Sequence, residues 1–516
     1  MMRRTMYRLM IAATLAVLAA CGDGRPILQA GNDQAPTTPA TLPAATVPPI
    51  TAAPGETLPP TTPAPTIPAP TTTTTPLSAL PACPVEALAA ASGPVDLTFW
   101  HGMKGGLEDA LVKLTDEYNA SQAKVRVTLQ NQGGYEQAID KYVQSSEGSR
   151  PDILQTPEYS VQQMRDTKSF VPMGACMQAA DMDTSDFLGR ALTAYSTEGV
   201  QWSMPFNVSN PVLYYNRKVF EKAGLDPDSS PLSLEDLRAV SQAVVTSGGA
   251  GTGIGLDTGF DGGGGWYIEQ WFSKLGELYT DNGNGRLAPA TKVFIDNPKA
   301  VELMTFLQQM INDGLAFNVG DDPSGQGVFL KMADSTSPSA MTIGTSAALG
   351  TVISVLDGGL IPGLTGADIG VGPMPGPGGA PGVLVGGASL WIVDGHGDEK
   401  TAASWDYINY LVSAQSQSTW AAATGYVPVR AGALDLDPLK TTYATDPRFK
   451  VAYDQVNAPS DALSAAGPIT GPLKQIRVVV ARAVATILQG GDPQATLAQA
   501  ALDANALIAD YTSRNS

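Results

Sequence analysis

The amino-acid sequence predicts an α/β protein with two folded domains behind an N-terminal segment that does not fold. Three observations support this prediction. Strand and helix patterns alternate from Val95 onward. The chain from Cys83 to Ser516 is longer than one hydrophobic core usually supports, so two domains are expected. Ahead of it lies a stretch of proline and threonine that has too few apolar residues to build a core.

The first 20 residues have the pattern of an export signal. Three arginines precede an apolar stretch from Leu9 to Leu18, which is too short to span a bilayer as a permanent helix. The stretch runs into Leu-Ala-Ala-Cys, the order of a lipoprotein cleavage site. We therefore predict that residues 1–20 are a signal peptide and that Cys21 becomes the lipid-modified first residue.

Residues 21–82 are predicted to be a disordered tether. From Ala35 to Ala82, 28 of 48 residues are Pro or Thr, and Glu56 is the only charged residue. Frequent proline stiffens such a chain toward an extended conformation that rises about 3 Å per residue. The segment would lift the folded part away from the membrane.

The charge of the chain excludes two classes of partner. Removal of the signal peptide leaves 28 basic and 49 acidic residues, a net charge of −21. A protein that binds nucleic acid or an anionic membrane surface should show a basic field. We therefore expect neither partner, and an anionic ligand would need a local cation.

Two cysteines remain after Cys21. Cys83 stands at the end of the tether, and Cys176 lies in the segment VPMGACM. In an exported protein an even pair favours a disulfide. A Cys83–Cys176 bridge is the favoured prediction, and two free buried thiols are the alternative.

The folded part opens with alternating strands and helices. The pattern predicts, in order, a strand at 95–100, a helix over 107–118, a strand at 125–129, a helix from 135 to about 145 and a strand at 153–154. Such a series begins an open α/β sheet, whose ligands gather beyond the carboxyl ends of the strands. A site is therefore expected around residues 100–102, before Tyr135, and at 155–158.

Catalytic chemistry is hard to build from the residues present. His101 and His396 are the only histidines, and the sequence has no HExxH, GxSxG or CxxC pattern. The glycine run at 249–255 is interpreted as a loop, not a dinucleotide site, and residues 281–285 as a solvated turn, not a calcium loop. The sequence predicts no catalytic residue, no metal site and no cofactor.

Five separated segments carry a resemblance to a known family. They are FWHGM from Phe99, GGYEQ around Tyr135, PFNVSNPVLYYNRKVFEKAGLDP from Pro205, GGASLW from Gly386 with the later TGYVPV, and KQIRVVV from Lys474. In this order they resemble the extracellular solute-binding proteins of ABC importers, the family of maltose-binding protein. The closest branch binds sn-glycerol-3-phosphate and glycerophosphodiesters. The resemblance spans nearly the whole folded part and leaves out the tether.

This resemblance implies a two-lobed, periplasmic-binding-protein-like (Venus flytrap) α/β fold with the ligand in the cleft. PFNVSNP, GGASLW and ATGYVPV would be chain crossings at the hinge. Lobe one would hold residues 95–208 and 386–427, and lobe two residues 209–385 and 428–516. Closure around a ligand is how such receptors present both lobes to a transporter.

The resemblance also implies six ligand-binding positions, which are Tyr135, Glu158, Ser209, Gly387, Tyr426 and Arg477. Arg477 is suited to offer a phosphate a planar pair of charge-assisted donors, and the hydroxyl groups would add neutral ones. Glu158 would accept from hydroxyl groups at the glycerol end. We expect Arg477→Ala to leave the fold intact and to abolish phosphate-dependent binding. Without the resemblance, a surface ion pair for Arg477 and core positions for the tyrosines would be favoured.

Two departures from the family pattern bear on the ligand. The family's serine in lobe two falls on Thr345, with Ser346 next to it. Of an aromatic pair that covers the ligand, only Trp266 is matched, because the other position falls in the glycine run 262–265. A wider pocket would admit glycerophosphocholine, with Trp266 offering its ring face to the cationic head group. Core packing of Trp266 is the alternative.

The sequence thus predicts an extracytoplasmic, lipid-anchored, monomeric receptor that delivers a glycerol phosphate compound to ABC permease subunits. Its contact with the membrane would be through the N-terminal lipid only, and no bond of the ligand would be broken. A sugar receptor of the same fold is one alternative. An envelope phosphodiesterase acting on glycerophosphodiesters is the other, and it would require metal ligands or a histidine base.

Overall fold

The computed structural model describes residues 80–322 and 325–515 of the chain. The predicted signal peptide, Cys21 and nearly all of the predicted tether lie outside the described residues. Within the described ranges, no helix is both long enough and apolar enough to cross a membrane.

The described residues form thirteen strands in two large sheets and one short hairpin. In chain order the strands are β1 (Val95–His101), β2 (Val125–Asn131), β3 (Ile153–Pro157), β4 (Phe170–Val171), β5 (Ser196–Thr197), β6 (Val200–Gln201), β7 (Met204–Ser209), β8 (Pro211–Asn216), β9 (Thr252–Asp257), β10 (Ala316–Gly320), β11 (Ser339–Thr345), β12 (Ile369–Pro373) and β13 (Gly386–Val393).

The α-helices of six residues or more cover both large sheets. They are α1 (Gly106–Ser121), α2 (Tyr135–Gln144), α3 (Val161–Asp166), α4 (Met173–Ala179), α5 (Gly189–Ala194), α6 (Arg217–Lys222), α7 (Leu234–Thr246), α8 (Trp266–Lys274), α9 (Pro298–Asn312), α10 (Gly327–Met332), α11 (Leu349–Asp357), α12 (Asp398–Leu411), α13 (Ala414–Thr424), α14 (Leu439–Thr445), α15 (Val451–Asn457), α16 (Leu473–Leu488) and α17 (Pro493–Asn515).

The first large sheet has the strand order β2-β1-β3-β13-β4, with β7 also paired to β13. β1 is parallel to β2 and β3, whereas β13 is antiparallel to β3, β4 and β7. Phe99 stands beside both Leu129 and Ile153, so the carboxyl ends of β1 and β3 lie at one edge. This sheet is the centre of lobe one.

The second large sheet has the order β10-β9-β11-β8-β12 and is the centre of lobe two. β9 is parallel to β10 and β11, and β8 is antiparallel to β11 and β12. Every residue of β7 and of β8 is buried, so the chain passes between the lobes through their interiors.

The three predicted crossing segments lie close together. β7 ends at Ser209 and β8 begins at Pro211, so Asn210 alone separates the two sheets along the chain. Gly386 of β13 pairs with Ser209, and the Val427 N–H donates to the Val208 carbonyl oxygen at 2.7 Å. The residue limits proposed for each lobe remain a prediction.

The opening strand–helix series agrees with the sequence prediction. Predicted strand 95–100 is β1, the helix over 107–118 is α1, and the next three elements are β2, α2 and β3. Within α1, Leu111, Leu114, Thr115 and Tyr118 are buried, which is the spacing of a helix with one face on a core.

Two loop predictions need correction. Thr252–Asp257 is strand β9, so only the first half of the glycine run at 249–255 is a loop. A Cβ on Gly253 would collide with Ser241 of α7, which explains why glycine stands inside this strand. The turn at 281–285 is not wholly solvated, because the buried Asn284 side chain accepts from the Tyr279 and Thr280 N–H groups.

A disulfide joins Cys83, ahead of β1, to Cys176 in α4. Both residues are buried, and 93 positions separate them in the chain. The bond attaches the start of the folded part to lobe one.

We expect replacement of Cys83 and Cys176 by serine to lower the free energy of unfolding by about 2–4 kcal/mol, because the crosslink restricts a long loop in the unfolded chain. The measurement is denaturant unfolding of this variant against the parent, both carrying Cys21→Ser so that no third thiol takes part. Equal stabilities, or two reactive thiols in the denatured but unreduced parent, would contradict the bridge.

Candidate ligand-binding site

The predicted site residues converge where the two lobes meet. Glu158 begins the short 3-10 turn Glu158–Ser160 that follows β3 in lobe one. Arg477 belongs to α16, near the C-terminus of the chain. The pairing of Pro157 with Ala388 sets Glu158 close to Gly387 of β13. The meeting point is therefore formed by the end of β3, the start of β13 and α16.

Arg477 is almost fully buried, with 1% of its side chain exposed, and it is held by two glutamates. Its Nε and Nη2 atoms donate to the two carboxylate oxygens of Glu269 at 2.6 and 2.7 Å. Nη2 also donates to Glu158 Oε1 at 2.8 Å. Glu269, on α8, is 2% exposed. The pair Arg477–Glu269 thus lies in the interior, and Glu158 joins it from lobe one.

Glu269 was not among the residues predicted from the sequence, and its contact changes the role of Arg477. The bidentate fork expected to face a phosphate is instead occupied by Glu269. What remains is the Nη1 edge, which has no hydrogen-bond partner among the described residues and stands 3.7 Å from Asp261 Oδ1. An acidic residue inside the apolar run WYIEQWF was the signal that could have pointed to a buried ion pair.

Burial and charge shift the pKa values of this cluster. Burial raises the pKa of Glu158 to about 7, even though the positive charge of Arg477 acts against that shift. Burial alone would lower the pKa of Arg477, but the charges of Glu269 and Glu158 hold it above its ordinary value. Arg477 is therefore a permanent cation, whereas Glu158 exchanges its proton near neutral pH.

A second ion pair connects α16 to α2. Lys474, one turn before Arg477 on α16, pairs with Glu136 of α2, and the Tyr159 hydroxyl donates to the same carboxylate. Burial, followed by the charge of Asp261, raises the pKa of Glu136 to about 7. The cleft is thus lined by more acidic than basic side chains.

A chain of hydrogen bonds orients Tyr135 from behind. The Gly102 N–H donates to Gln155 Oε1 at 3.0 Å, and Gln155 Nε2 donates to Asn207 Oδ1 at 2.8 Å. Asn207 Nδ2 then donates to the Tyr135 hydroxyl, also at 2.8 Å. The Tyr135 hydroxyl also interacts with the Tyr426 side chain. Tyr135 therefore already has a hydrogen-bond partner within the protein.

Gly387 and Trp266 meet at the chain crossing. Gly387 has φ +90°, and a Cβ there would collide with the Asn207 carbonyl group, so this glycine serves the backbone. The neighbouring Gly386 pairs with Ser209 and lies against the Trp266 ring, where any side chain would collide with the indole. Trp266 is buried, and its Nε1–H has no hydrogen-bond partner among the described residues.

Thr345 and Ser346 lie at the end of β11, beside the same crossing. The Ser346 N–H donates to the Asn210 carbonyl oxygen at 2.9 Å, and the Thr345 Oγ1 accepts from the Ala347 N–H at 3.3 Å. The Ser346 hydroxyl is buried and has no partner within the described ranges. Thr345 is thus used locally as a cap, whereas Ser346 has an unused hydroxyl group.

The geometry therefore brings the nine predicted positions to one region. Glu158 contacts Arg477 directly, Tyr135 contacts Tyr426, and Ser209, Gly387, Trp266 and Ser346 surround the Ser209–Pro211 crossing. Among these nine positions, the polar atoms without a hydrogen-bond partner in the described residues are the Arg477 Nη1, the Trp266 Nε1 and the Ser346 hydroxyl. The first two can only donate, so the region offers donors to a molecule that presents acceptors.

The chain has curated relatives that bind glycerol phosphate. It is 27% identical over 438 residues to the sn-glycerol-3-phosphate-binding periplasmic protein UgpB of Yersinia pseudotuberculosis, a match that covers 83% of this chain and 95% of that protein. UgpB of Escherichia coli is 27% identical over 432 residues, covering 82% of this chain and 94% of that one.

Solved structures confirm the predicted two-lobed fold. UgpB from Mycobacterium tuberculosis, in complex with glycerophosphocholine, aligns with a TM-score of 0.67 at 20% identity and covers 82% of this chain and 100% of its own. The cyclic α-maltosyl-1,6-maltose binding protein from Arthrobacter globiformis aligns with a TM-score of 0.64 at 21% identity, covering 81% and 99%.

The central part of the chain matches a protein-family model. Residues 113–451 match the family model of the bacterial extracellular solute-binding proteins, which covers more than half of the sequence. This chain therefore belongs to the bacterial extracellular solute-binding protein family, the substrate-binding proteins of ABC importers.

Proposed function

We propose that this protein is the lipid-anchored receptor of an importer for a glycerophosphodiester, such as glycerophosphocholine, or for sn-glycerol-3-phosphate. The observation that carries the proposal is the buried Arg477, with its Nη1 edge free of hydrogen bonds among the described residues. Phosphoryl oxygens are acceptors that a guanidinium group binds well. The ligands named for the UgpB relatives support the same class of compound.

The charges around Arg477 favour a diester with a cationic head group. Three carboxylates, of Glu158, Glu269 and Asp261, stand 2.6–3.7 Å from this one guanidinium group. A phosphate monoester would add up to two negative charges to an acidic site, whereas a phosphodiester adds one. A cationic head group would offset that charge. We therefore rank glycerophosphocholine ahead of sn-glycerol-3-phosphate.

A sugar receptor is the first alternative, and the solved maltose-type neighbours share the fold. The donors without partners at the crossing favour a phosphate compound over a sugar. A guanidinium edge and an indole N–H both require acceptors, while a sugar hydroxyl brings a donor with every acceptor. The nearly buried Trp266 ring, packed on Gly386, also leaves little face for stacking on a pyranose.

An envelope phosphodiesterase is the second alternative, and the arrangement of histidines argues against it. His101 is buried, and burial lowers its pKa. His396 Nδ1 is 2.7 Å from Asp152 Oδ1. Asp152 lies next to the end of β13, whereas the crossing is at the start of that strand. Among the described residues, no group of three or more His, Cys, Asp or Glu side chains is arranged to hold a metal ion. We propose that the ligand leaves the protein chemically unchanged.

The Arg477→Ala variant is not a clean test, contrary to the expectation from sequence. It would leave Glu269 buried and unpaired, which costs on the order of 3–5 kcal/mol of stability. Arg477→Lys keeps a positive charge beside Glu269 but removes the Nη1 edge. Arg482→Lys, an exposed position on the same helix, is the matched control.

We expect calorimetric titration of the tether-free protein to show saturable binding of glycerophosphocholine, weaker binding of sn-glycerol-3-phosphate and none of maltose. Arg477→Lys should weaken the phosphodiester by about 10- to 100-fold, because it removes a charge-assisted hydrogen bond. Arg482→Lys should match the parent. Binding of maltose alone would assign the protein to the sugar branch, and release of sn-glycerol-3-phosphate from glycerophosphocholine would make it an enzyme.

The raised pKa values of Glu158 and Glu136, each about 7, predict a pH-dependent stability. In the unfolded chain both carboxyl groups are ionised above pH 6, whereas the folded protein still binds protons there. The stabilisation by these protons is complete below about pH 4.5 and is lost as pH rises through 7. Between pH 6.5 and pH 8, the loss of each proton should lower the free energy of unfolding by about 0.5–1 kcal/mol.

Thermal unfolding of the unliganded protein across this range measures the effect. The midpoint temperature should fall as pH rises, and Glu158→Gln should reduce the slope. The contribution of His101 is common to both proteins and cancels in the comparison. If the midpoint temperature changes with pH equally in Glu158→Gln and in the parent, Glu158 does not hold a proton in the folded protein at these pH values.

Lipid attachment at Cys21 is a separate part of the proposal. Protein produced in a bacterial host with lipoprotein processing should partition into the detergent phase of a Triton X-114 extract, because an acyl anchor adds apolar surface. Cys21→Ser should move it to the aqueous phase. A parent protein found in the aqueous phase would contradict the anchor without affecting the ligand assignment.

A further inference from the structure

Tyr195 is a buried tyrosine whose hydroxyl group is not used by the protein. It follows α5 directly, and none of its side chain is exposed. Its hydroxyl has no hydrogen-bond partner among the described residues. A buried hydroxyl without a partner destabilises the fold, and phenylalanine would fill the same space without that cost. The hydroxyl therefore needs an explanation other than packing.

Tyr195 lies near the ligand region, because α5, which ends just before it, packs on β7, the strand that runs to the Ser209 crossing. The charge of Glu158 and the hydroxyl of Tyr426 are its electrostatic neighbours, and it also acts on Tyr135. These are three of the positions already assigned to the ligand. Burial raises the pKa of Tyr195 well above its ordinary value, so the hydroxyl keeps its proton.

The backbone around Tyr195 is fixed from lobe two. Arg286 Nη1 donates to the carbonyl oxygens of Thr193 and Ser196 at 2.7 and 3.2 Å, on either side of Tyr195. Arg286 Nε also donates to the Gly467 carbonyl oxygen at 2.9 Å. Tyr195 itself accepts from the Trp202 N–H at 3.2 Å through its carbonyl oxygen. The ring is thus held at the junction of the lobes and is not a mobile surface group.

The neighbouring polar groups decide what Tyr195 can bind. Tyr135 is already engaged with Asn207 and Tyr426. The Arg477 Nη1 and Trp266 Nε1 atoms are donors without partners, and Glu158 is already the acceptor for Arg477. A ligand that satisfies these groups must bring several acceptor oxygens together, which a phosphoryl group does.

We propose that Tyr195 is a further ligand-binding residue, whose O–H donates to a phosphoryl oxygen of the bound phosphodiester. This inference rests on the proposed function and adds a donor that the family resemblance did not indicate. Tyr195 and Arg477 would hold the phosphoryl group from lobe one and lobe two respectively, so the ligand would connect the lobes through two donors.

Tyr195→Phe tests the inference, with Tyr443→Phe as the matched control. The Tyr443 hydroxyl on α14 is also buried without a partner, but its electrostatic neighbours are Tyr453 and Asp454, away from the ligand region. Both variants should fold, because each removes a hydroxyl that bonds nothing in the protein. Calorimetric titration with glycerophosphocholine should give about 10- to 100-fold weaker binding for Tyr195→Phe and unchanged binding for Tyr443→Phe.

Thermal unfolding without ligand supplies the second readout. Tyr195→Phe should melt at the parent temperature or above it, while the upward shift caused by glycerophosphocholine should shrink. Unchanged affinity in Tyr195→Phe, with normal binding by the parent, would overturn the inference and leave the proposed function intact. A parent that binds no phosphate compound would instead overturn the proposed function, and the role of Tyr195 with it.

Discussion

The buried ion pair between Arg477 and Glu269 is the constraint on which the rest of the cleft depends. A guanidinium group removed from water is costly unless a carboxylate neutralises it, and the bidentate geometry supplies both charge and orientation. Because Glu269 occupies two of the three nitrogen atoms, the plane of Arg477 is fixed and the Nη1 edge has one direction available. The direction in which Arg477 can donate to a ligand is set by that plane.

The same cluster joins the two large sheets. Glu158 follows β3 of the first sheet, whereas Arg477 lies on α16, which packs on α9 beside the second sheet. Their 2.8 Å hydrogen bond therefore connects the two sides of the meeting point. One helical turn away on α16, Lys474 forms a similar ion pair with Glu136 of α2. Under the proposed function, a ligand that binds Arg477 would act on these same contacts, and differences in contacts between two states are what shifts their equilibrium.

Periodicity and composition predicted the parts of the fold that depend on local pattern. The opening β–α series, the crossings and the Cys83–Cys176 pair all follow from spacing, family motifs or export chemistry. Glu269 could not be paired with Arg477 from spacing, since 208 residues separate them in the chain. Gly253 could not be placed in a strand from the sequence for a similar reason. Its position inside β9 depends on the close approach of Ser241 from α7, which the sequence does not show.

The attachment of Cys83 to α4 has a mechanical consequence. A force applied to the chain ahead of residue 83 passes through the disulfide into α4 and the first sheet, and the covalent path from there to the second sheet runs through the crossing segments. Tension on the N-terminal side therefore acts first on the first sheet and is not applied directly across the cleft.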